Sequence, residues 1–214
     1  METLASAHLG VFFVMVLGII VMPGMDMAFV LANALAGGKR RGLLAVAGIV
    51  VGGACHVVAA ALGLGLLLKL WPALFNIILL AGAAYIAWIG LSLLRAASAA
   101  GALPAARAAG GGWSTFRQAV ITCLLNPKAY LFMLAVFPQF LRPEQGQVWL
   151  QSVVLWVIIA VTQTGVYGAM AVAAASVAHR LTARPQLGMG IVRAAGAVLM
   201  LGAAWTGWMG WRGL

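Results

Sequence analysis

Pro23-Gly24-Met25-Asp26 and Asn126-Pro127-Lys128-Ala129 decide how this chain folds. Each sets a proline and an ionisable side chain inside a long apolar stretch. An ionised group at such depth costs about 2.5–3.5 kcal/mol on insertion scales. The chain has only three acids, Glu2, Asp26 and Glu144, and Asp26 is the one placed away from water. Proline lacks an N–H and clashes with the preceding turn, so the helix cannot continue regularly through Pro23. Gly24 then permits close approach or an unusual dihedral. Backbone groups freed at the break can face a ligand, and a restarted half-helix offers N–H donors and a positive dipole end. A broken apolar segment with a charge at the break, once in each half, is the pattern of a membrane transporter with its site near the midplane.

Composition agrees. The 214 residues are 64% hydrophobic and 7% charged, which excludes an ordinary soluble domain. About 20 apolar residues cross the hydrocarbon, and only helices or closed barrels satisfy the backbone there. The apolar windows lack the alternation of barrel strands. The expected fold is therefore an all-α integral membrane protein of six transmembrane helices. The spans run roughly over 6–35 (broken at Pro23), 43–68, 72–94, 116–140 (broken at Pro127), 148–176 and 191–211.

The net charge of +10 invites a nucleic-acid role, but its distribution argues for topology. Lys39, Arg40 and Arg41 fall between spans one and two. Arg95, Arg107 and Arg117 flank the link between three and four, and Arg180, Arg184 and Arg193 that between five and six. Only Lys69, Arg142 and Arg212 fall on the other side. This asymmetry puts both termini outside the cytoplasm. The N-terminal apolar run ends in a small-x-small pattern at Ala34-Leu35-Ala36. It has no basic residue before it and is interrupted by Pro-Gly and Asp26, so it is read as a retained span rather than a signal peptide. Cys55 and Cys123 both fall at membrane depth and imply no disulfide framework.

The Ala- and Gly-rich stretch 96–112 reads as a cytoplasmic linker within a single transporter domain, 1–214. It separates two three-helix halves, 1–95 and 113–214. Three spans per half force the second half to enter the membrane in the opposite sense, which makes a 3+3 inverted repeat with a broken first helix in each half. Lys39 lies 13 residues past Asp26, about 20 Å along a helix, so the first break falls near the middle of the bilayer. Trp71, Trp113, Trp149, Trp205, Trp208 and Trp211 cluster at span ends, where indoles anchor to the interface.

The candidate substrate- and ion-binding residues are Pro23, Gly24, Asp26, His56, Asn126, Pro127, Lys128, Gln163 and Tyr167. Asp26 either caps the restarted half-helix or meets a cationic group or a proton. Asn126 is a good N-cap and Pro127 suits the first helical position. Lys128 is too deep to snorkel easily. It either pairs with Asp26 to fasten the halves or meets a carboxylate. An amino acid carries both charges, so its ammonium can replace Lys128 at Asp26 and its carboxylate can replace Asp26 at Lys128. His56 can exchange protons near neutral pH or simply pack, and it shares a face with Gly48, Gly52, Ala60 and Gly63. Gln163, Thr164 and Tyr167 occupy similar depth in span five. Asn33, Gln118, Thr122 and Gln139 read as interhelical hydrogen-bonding residues.

The blocks Pro23-Gly24-Met25-Asp26, Gly37-Gly38-Lys39-Arg40-Arg41-Gly42-Leu43 and Gly48 to His56 resemble the LysE/RhtB family of amino-acid exporters. So do Asn126-Pro127-Lys128-Ala129 and Phe137-Pro138-Gln139-Phe140, and the resemblance covers essentially the whole chain. One departure stands out, because Met25 occupies the second proline position of a usual Pro-Gly-Pro. The resemblance implies a bacterial inner-membrane exporter driven by a proton or sodium gradient, with no enzymatic activity and no cofactor. Family members move basic amino acids, threonine, homoserine and its lactone, or leucine-like residues. Because Asp26 is the one buried acid, a neutral zwitterion is expected rather than a basic amino acid. The expected partners are the amino acid, the coupling ion, the lipid bilayer and, as an open possibility, a second copy of the chain. The competing readings are a cation or metal exporter or channel, a membrane thiol-disulfide carrier, and a non-transporting scaffold. Metal sites want several His, Cys or acid ligands together, and Asp26, His56 and Cys55 are few. Cys55 and Cys123 do not hold equivalent positions in the two halves, which disfavours the thiol carrier.

Overall fold

A computed structural model describes residues 2–62, 70–99, 111–181 and 185–212. All regular structure among these residues is helical. The elements in order are α1 (Glu2–Val21), α2 (Met25–Ala61), α3 (Pro72–Ala99), α4 (Gly112–Leu124), α5 (Pro127–Ala135), α6 (Val148–Leu181) and α7 (Pro185–Arg212). Two short 3₁₀ turns, Phe137–Phe140 and Pro143–Gln145, join α5 to α6.

Both proline breaks are present. The first helix stops at Val21, passes through Gly24 in a fully extended conformation and restarts at Met25. Met25, where the related pattern has proline, is buried at the first position of α2. The second break separates α4 from α5, and the segments on either side are bent by 49°.

The structure refines one boundary. Spans one and two are expected as separate helices, yet α2 runs from Met25 to Ala61 with a single non-helical residue, Gly38, at φ 72° and ψ −174°. That dihedral pair favours glycine strongly. It turns the chain back on itself. A Cβ placed on Gly42 would sit 2.8 Å from the Ala34 Cβ, whereas eight residues along a straight helix span about 12 Å. Helix α2 is thus two arms folded at Gly38. The first arm completes the broken helix begun by α1, and the second arm is the next apolar segment.

By length and apolar character, Met25–Ala61, Val148–Ala178 and the bent α4–α5 pair can cross a membrane among the described residues. Helix α2 packs most extensively against α6 and α4, α3 packs against α7, and α1 against α6. Small residues set these distances. A Cβ on Gly48 would lie 2.5 Å from the Phe116 carbonyl oxygen, and one on Gly52 would lie 2.6 Å from the Cys123 Cβ. The α2–α4 contact is therefore backbone-close, and the Gly48–Gly52 stripe predicted to allow close helix contact makes it. Gly63 of the same stripe lies outside the described residues. So does most of the expected linker, since α3 continues to Ala99 and residues 100–110 are not described. The tryptophans at the span ends are exposed, Trp113 and Trp211 most of all.

Candidate functional site

The two breaks leave helix ends inside the bundle, and each end needs partners for its free carbonyls and N–H groups. At the first break the carbonyls of Ile19 and Met22, at the end of α1, accept hydrogen bonds from the Lys128 ammonium, both at 2.9 Å. Lys128 is the second residue of α5, in the other half of the chain. A cation belongs at the negative end of a helix dipole, so this contact is electrostatically favourable. Gly24 leaves room for it, because a Cβ there would stand 3.2 Å from the Lys128 Nζ.

At the second break the arrangement is reciprocal. The Cys123 carbonyl, in the last turn of α4, lies 2.9 Å from His56 Nε2 of α2. A carbonyl only accepts, so Nε2 carries the hydrogen. The His56 ring meets Tyr130 edge-on, with centroids 4.7 Å apart. On the far side of the break, Asn126 Oδ1 accepts from the Lys128 backbone N–H at 3.0 Å and Pro127 opens α5. This is the N-cap and first-position arrangement expected of those residues.

Asp26 behaves differently. The N-cap of α2 is Gly24, with no side-chain cap bond. Asp26 is buried in the first turn, and its Oδ1 has no hydrogen-bond partner. The Asn126 carboxamide and the Lys128 charge are the groups that act on it, and neither closes a hydrogen bond to that oxygen. Asn126 Nδ2 is likewise buried without a partner, and its orientation follows from the cap bond made by Oδ1. Gln163 Oε1, from α6, is a third buried polar atom left open.

These groups converge on one small cavity. Its polar wall holds Asp26, His56, Asn126, Lys128, Gln163 and Tyr167. Its apolar wall is built by Val16, Ile19 and Ile20 of α1, Ala129, Phe132 and Met133 of α5, and Ile159 of α6. Six of the nine expected site residues thus line a single space, and they come from both halves of the chain. Pro23 is exposed, while Gly24 and Pro127 are half-buried at the breaks they create. Thr164 faces outward and Cys55 is exposed. The expected hydrogen-bonding residues bond within their own helices, and Thr122 of α4 also reaches the Tyr85 side chain of α3. Asn33 donates to Phe29, Thr122 to the Gln118 carbonyl, and the Gln118 amide to Ser114.

Gly53 and Cys123 also line the cavity and were not singled out in the sequence. Cys123 reads there as a small apolar residue, but its place in the turn just before Asn126-Pro127 is what makes its carbonyl available to His56. The apolar wall has no sequence signal of its own, because every span is rich in such residues. No group of three His, Cys, Asp or Glu side chains suited to a metal occurs among the described residues.

Comparison with known proteins places this geometry in a family. An uncharacterized membrane protein of Pseudomonas aeruginosa is 35% identical over 163 residues, 74% of this chain and 76% of that protein. The homoserine/homoserine lactone efflux protein of Salmonella typhimurium is 34% identical over 125 residues, 58% of this chain and 60% of the relative. The leucine efflux protein of Salmonella choleraesuis is 35% identical over 123 residues, 58% of each chain. The match thus spans about six tenths of the length of the two efflux proteins. No solved structure matches. The model of the LysE type translocators matches residues 17–210, from α1 through both breaks to the end of α7, and the chain belongs to that family.

Proposed function

We propose that this protein exports an amino acid or a close derivative across the bacterial inner membrane, and that its passenger is a neutral zwitterion. One observation carries this reading. A carboxylate oxygen without a partner (Asp26) and an open amide oxygen (Gln163) face the same cavity as an open amide N–H (Asn126) and an ammonium (Lys128). The first two suit a substrate ammonium and the second two suit a carboxylate. Buried polar atoms left open are costly, at roughly 1–3 kcal/mol each, so a ligand that satisfies all of them has an energetic reason to bind. The relatives named for efflux of leucine and of homoserine or its lactone point to the same class. The apolar wall and the absence of a second acid there favour an uncharged side chain over a basic one.

The mechanism proposed is alternating access about the paired breaks. A 3+3 inverted repeat of halves 1–95 and 113–214, joined by the 96–112 linker, is supported by the helix contacts. The α2–α4 and α6–α1 packings are what such a two-fold exchange would relate, and α3–α7 would be its self-paired contact. The cross-capping gives the coupling. Lys128 holds two carbonyls at the first break. A substrate carboxylate competes for it, so binding loosens the α1–α5 link and frees the first half to move. Asp26 and His56 are the groups on the cavity wall through which a proton gradient would act, and sodium is the other coupling ion for this frame. Both termini are placed in the periplasm on the basic-residue asymmetry alone.

An untargeted profile of extracellular metabolites from cells overproducing the protein tests the reading. One or more neutral amino acids should accumulate outside, and Asp26→Asn and Lys128→Met should each cut the excess at least tenfold. Accumulation of lysine or arginine as the main product, or full export by both variants, would overturn it.

A further inference from the structure

A second cavity, of about 240 Å³, lies beyond the first. It is lined by His8 and Leu9 of α1, Leu150, Gln151, Val154 and Leu155 of α6, and Phe140 and Arg142 between α5 and α6. The two cavities share their walls. On α1, Leu9 faces the outer space and Val16 the central one, about 10 Å further along the helix. On α6, Leu155 faces the outer space and Ile159, one turn on, the central one. After the second break, Phe132 lines the central cavity and Phe140 the outer one.

One aromatic layer separates them. Phe12 is fully buried, and its ring lies 5.9 Å from Phe132, 6.4 Å from Phe137 and 4.9 Å from Phe140. It therefore touches the ring that borders each cavity. The outer space is also chemically specified. Gln151 grips the backbone of Arg142 at both ends, accepting from its N–H and donating to its carbonyl at 2.8 Å each. This fixes where the guanidinium starts. No carboxylate is among the residues that line the space. A guanidinium with no acid among the described residues of its cavity, bordered by leucines and a valine, suits a carboxylate with an apolar body.

We propose that the passenger leaves the central cavity between α1 and α6, through a gate formed by Phe12 against Phe132, Phe137 and Phe140, and enters an outer subsite where Arg142 takes its carboxylate. The identity of the passenger rests on the reading above, while the gate and the anion preference do not.

Thiol labelling tests both parts without any transport assay. Cys55→Ala and Cys123→Ser, combined with Ala129→Cys, leave one cysteine, in the central cavity wall. A membrane-impermeant methanethiosulfonate added to intact spheroplasts should label it slowly. Phe12→Ala and Phe140→Ala should each speed that labelling about tenfold, because the aromatic layer is the barrier. Phe13→Ala should leave it unchanged, since Phe13 points out of the bundle and is 44% exposed. Fast labelling of the parent, no labelling in both gate variants, an equal effect of Phe13→Ala, or labelling only after permeabilisation would each overturn the gate. For the subsite, Leu9→Cys in a chain lacking both native cysteines should react faster with an anionic sulfonatoethyl reagent than with a cationic trimethylammonium one. Arg142→Gln should reduce that preference about tenfold. An unchanged ratio would remove Arg142 from the proposal.

Discussion

The two breaks look alike in sequence and differ in what they leave undone. At Asn126-Pro127 the local chemistry is closed. A side chain caps the new helix, proline takes the first position, and His56 holds a carbonyl of the old one. At Pro23-Gly24 the new helix has a glycine cap, one oxygen of its acid is left without a partner, and the old helix depends on a lysine from the other half. The second break is a built structural element with one spare donor. The first is completed from the other half of the chain. The comparison teaches that a broken helix keeps polar groups open through the partners withheld from it, more than through the proline that breaks it.

The largest effect is expected at Lys128, which serves both breaks. Lys128→Met removes two charge-assisted bonds to the end of α1 and the cation for a carboxylate. A bond to a charged group contributes about 1.5–3 kcal/mol, so the rate of export should fall by two orders of magnitude or more. Membrane-inserted protein measured alongside separates lost transport from lost folding. Asp26→Asn is expected next, with a loss of about ten- to a hundredfold in export and little effect on stability, because Asp26 makes no cap bond that the variant would break. If Asp26→Asn instead melts the protein, the first break is structurally closed after all and the contrast fails.

The second break should respond in the opposite way. Asn126→Ala removes a cap worth about 1 kcal/mol, so thermal stability in detergent should drop before substrate selectivity changes. The smallest effect is expected at His56. The Cys123 carbonyl also accepts from the Asn126 N–H, so His56→Ala leaves it one bond rather than none. A loss near 0.5–1 kcal/mol in stability is expected, with partial recovery in His56→Gln, whose amide can donate in its place. Export that vanishes in His56→Gln while stability holds would mark His56 as a proton carrier and sharpen the account.

Much of this site was legible because ionisable and proline residues are conspicuous in an apolar chain. Asp26, His56, Asn126, Lys128, Gln163 and Tyr167 all reach one cavity. What could not be read was partnership. A lysine and an aspartate at matching depth invite an ion pair, yet Lys128 bonds to carbonyls of α1. That choice depends on how α5 sits against the end of α1, which no local pattern encodes. The hairpin at Gly38 was hidden for a similar reason. Gly37-Gly38-Lys39-Arg40-Arg41 reads as a loop, whereas the chain needs only one residue at positive φ to reverse between helices. The aromatic layer was invisible because Phe12 looks like any other apolar residue until Phe132, Phe137 and Phe140 are brought against it.

The claim on which the account depends is that one cavity holds both ends of a zwitterion. Equilibrium binding to the purified protein of leucine, of 3-methylbutylamine (leucine without its carboxylate) and of 4-methylpentanoate (leucine without its amine) measures this directly. The account predicts that loss of either end weakens binding about a hundredfold, since each end meets its own charged partner. Equal affinity for leucine and for either one-ended analogue would contradict it.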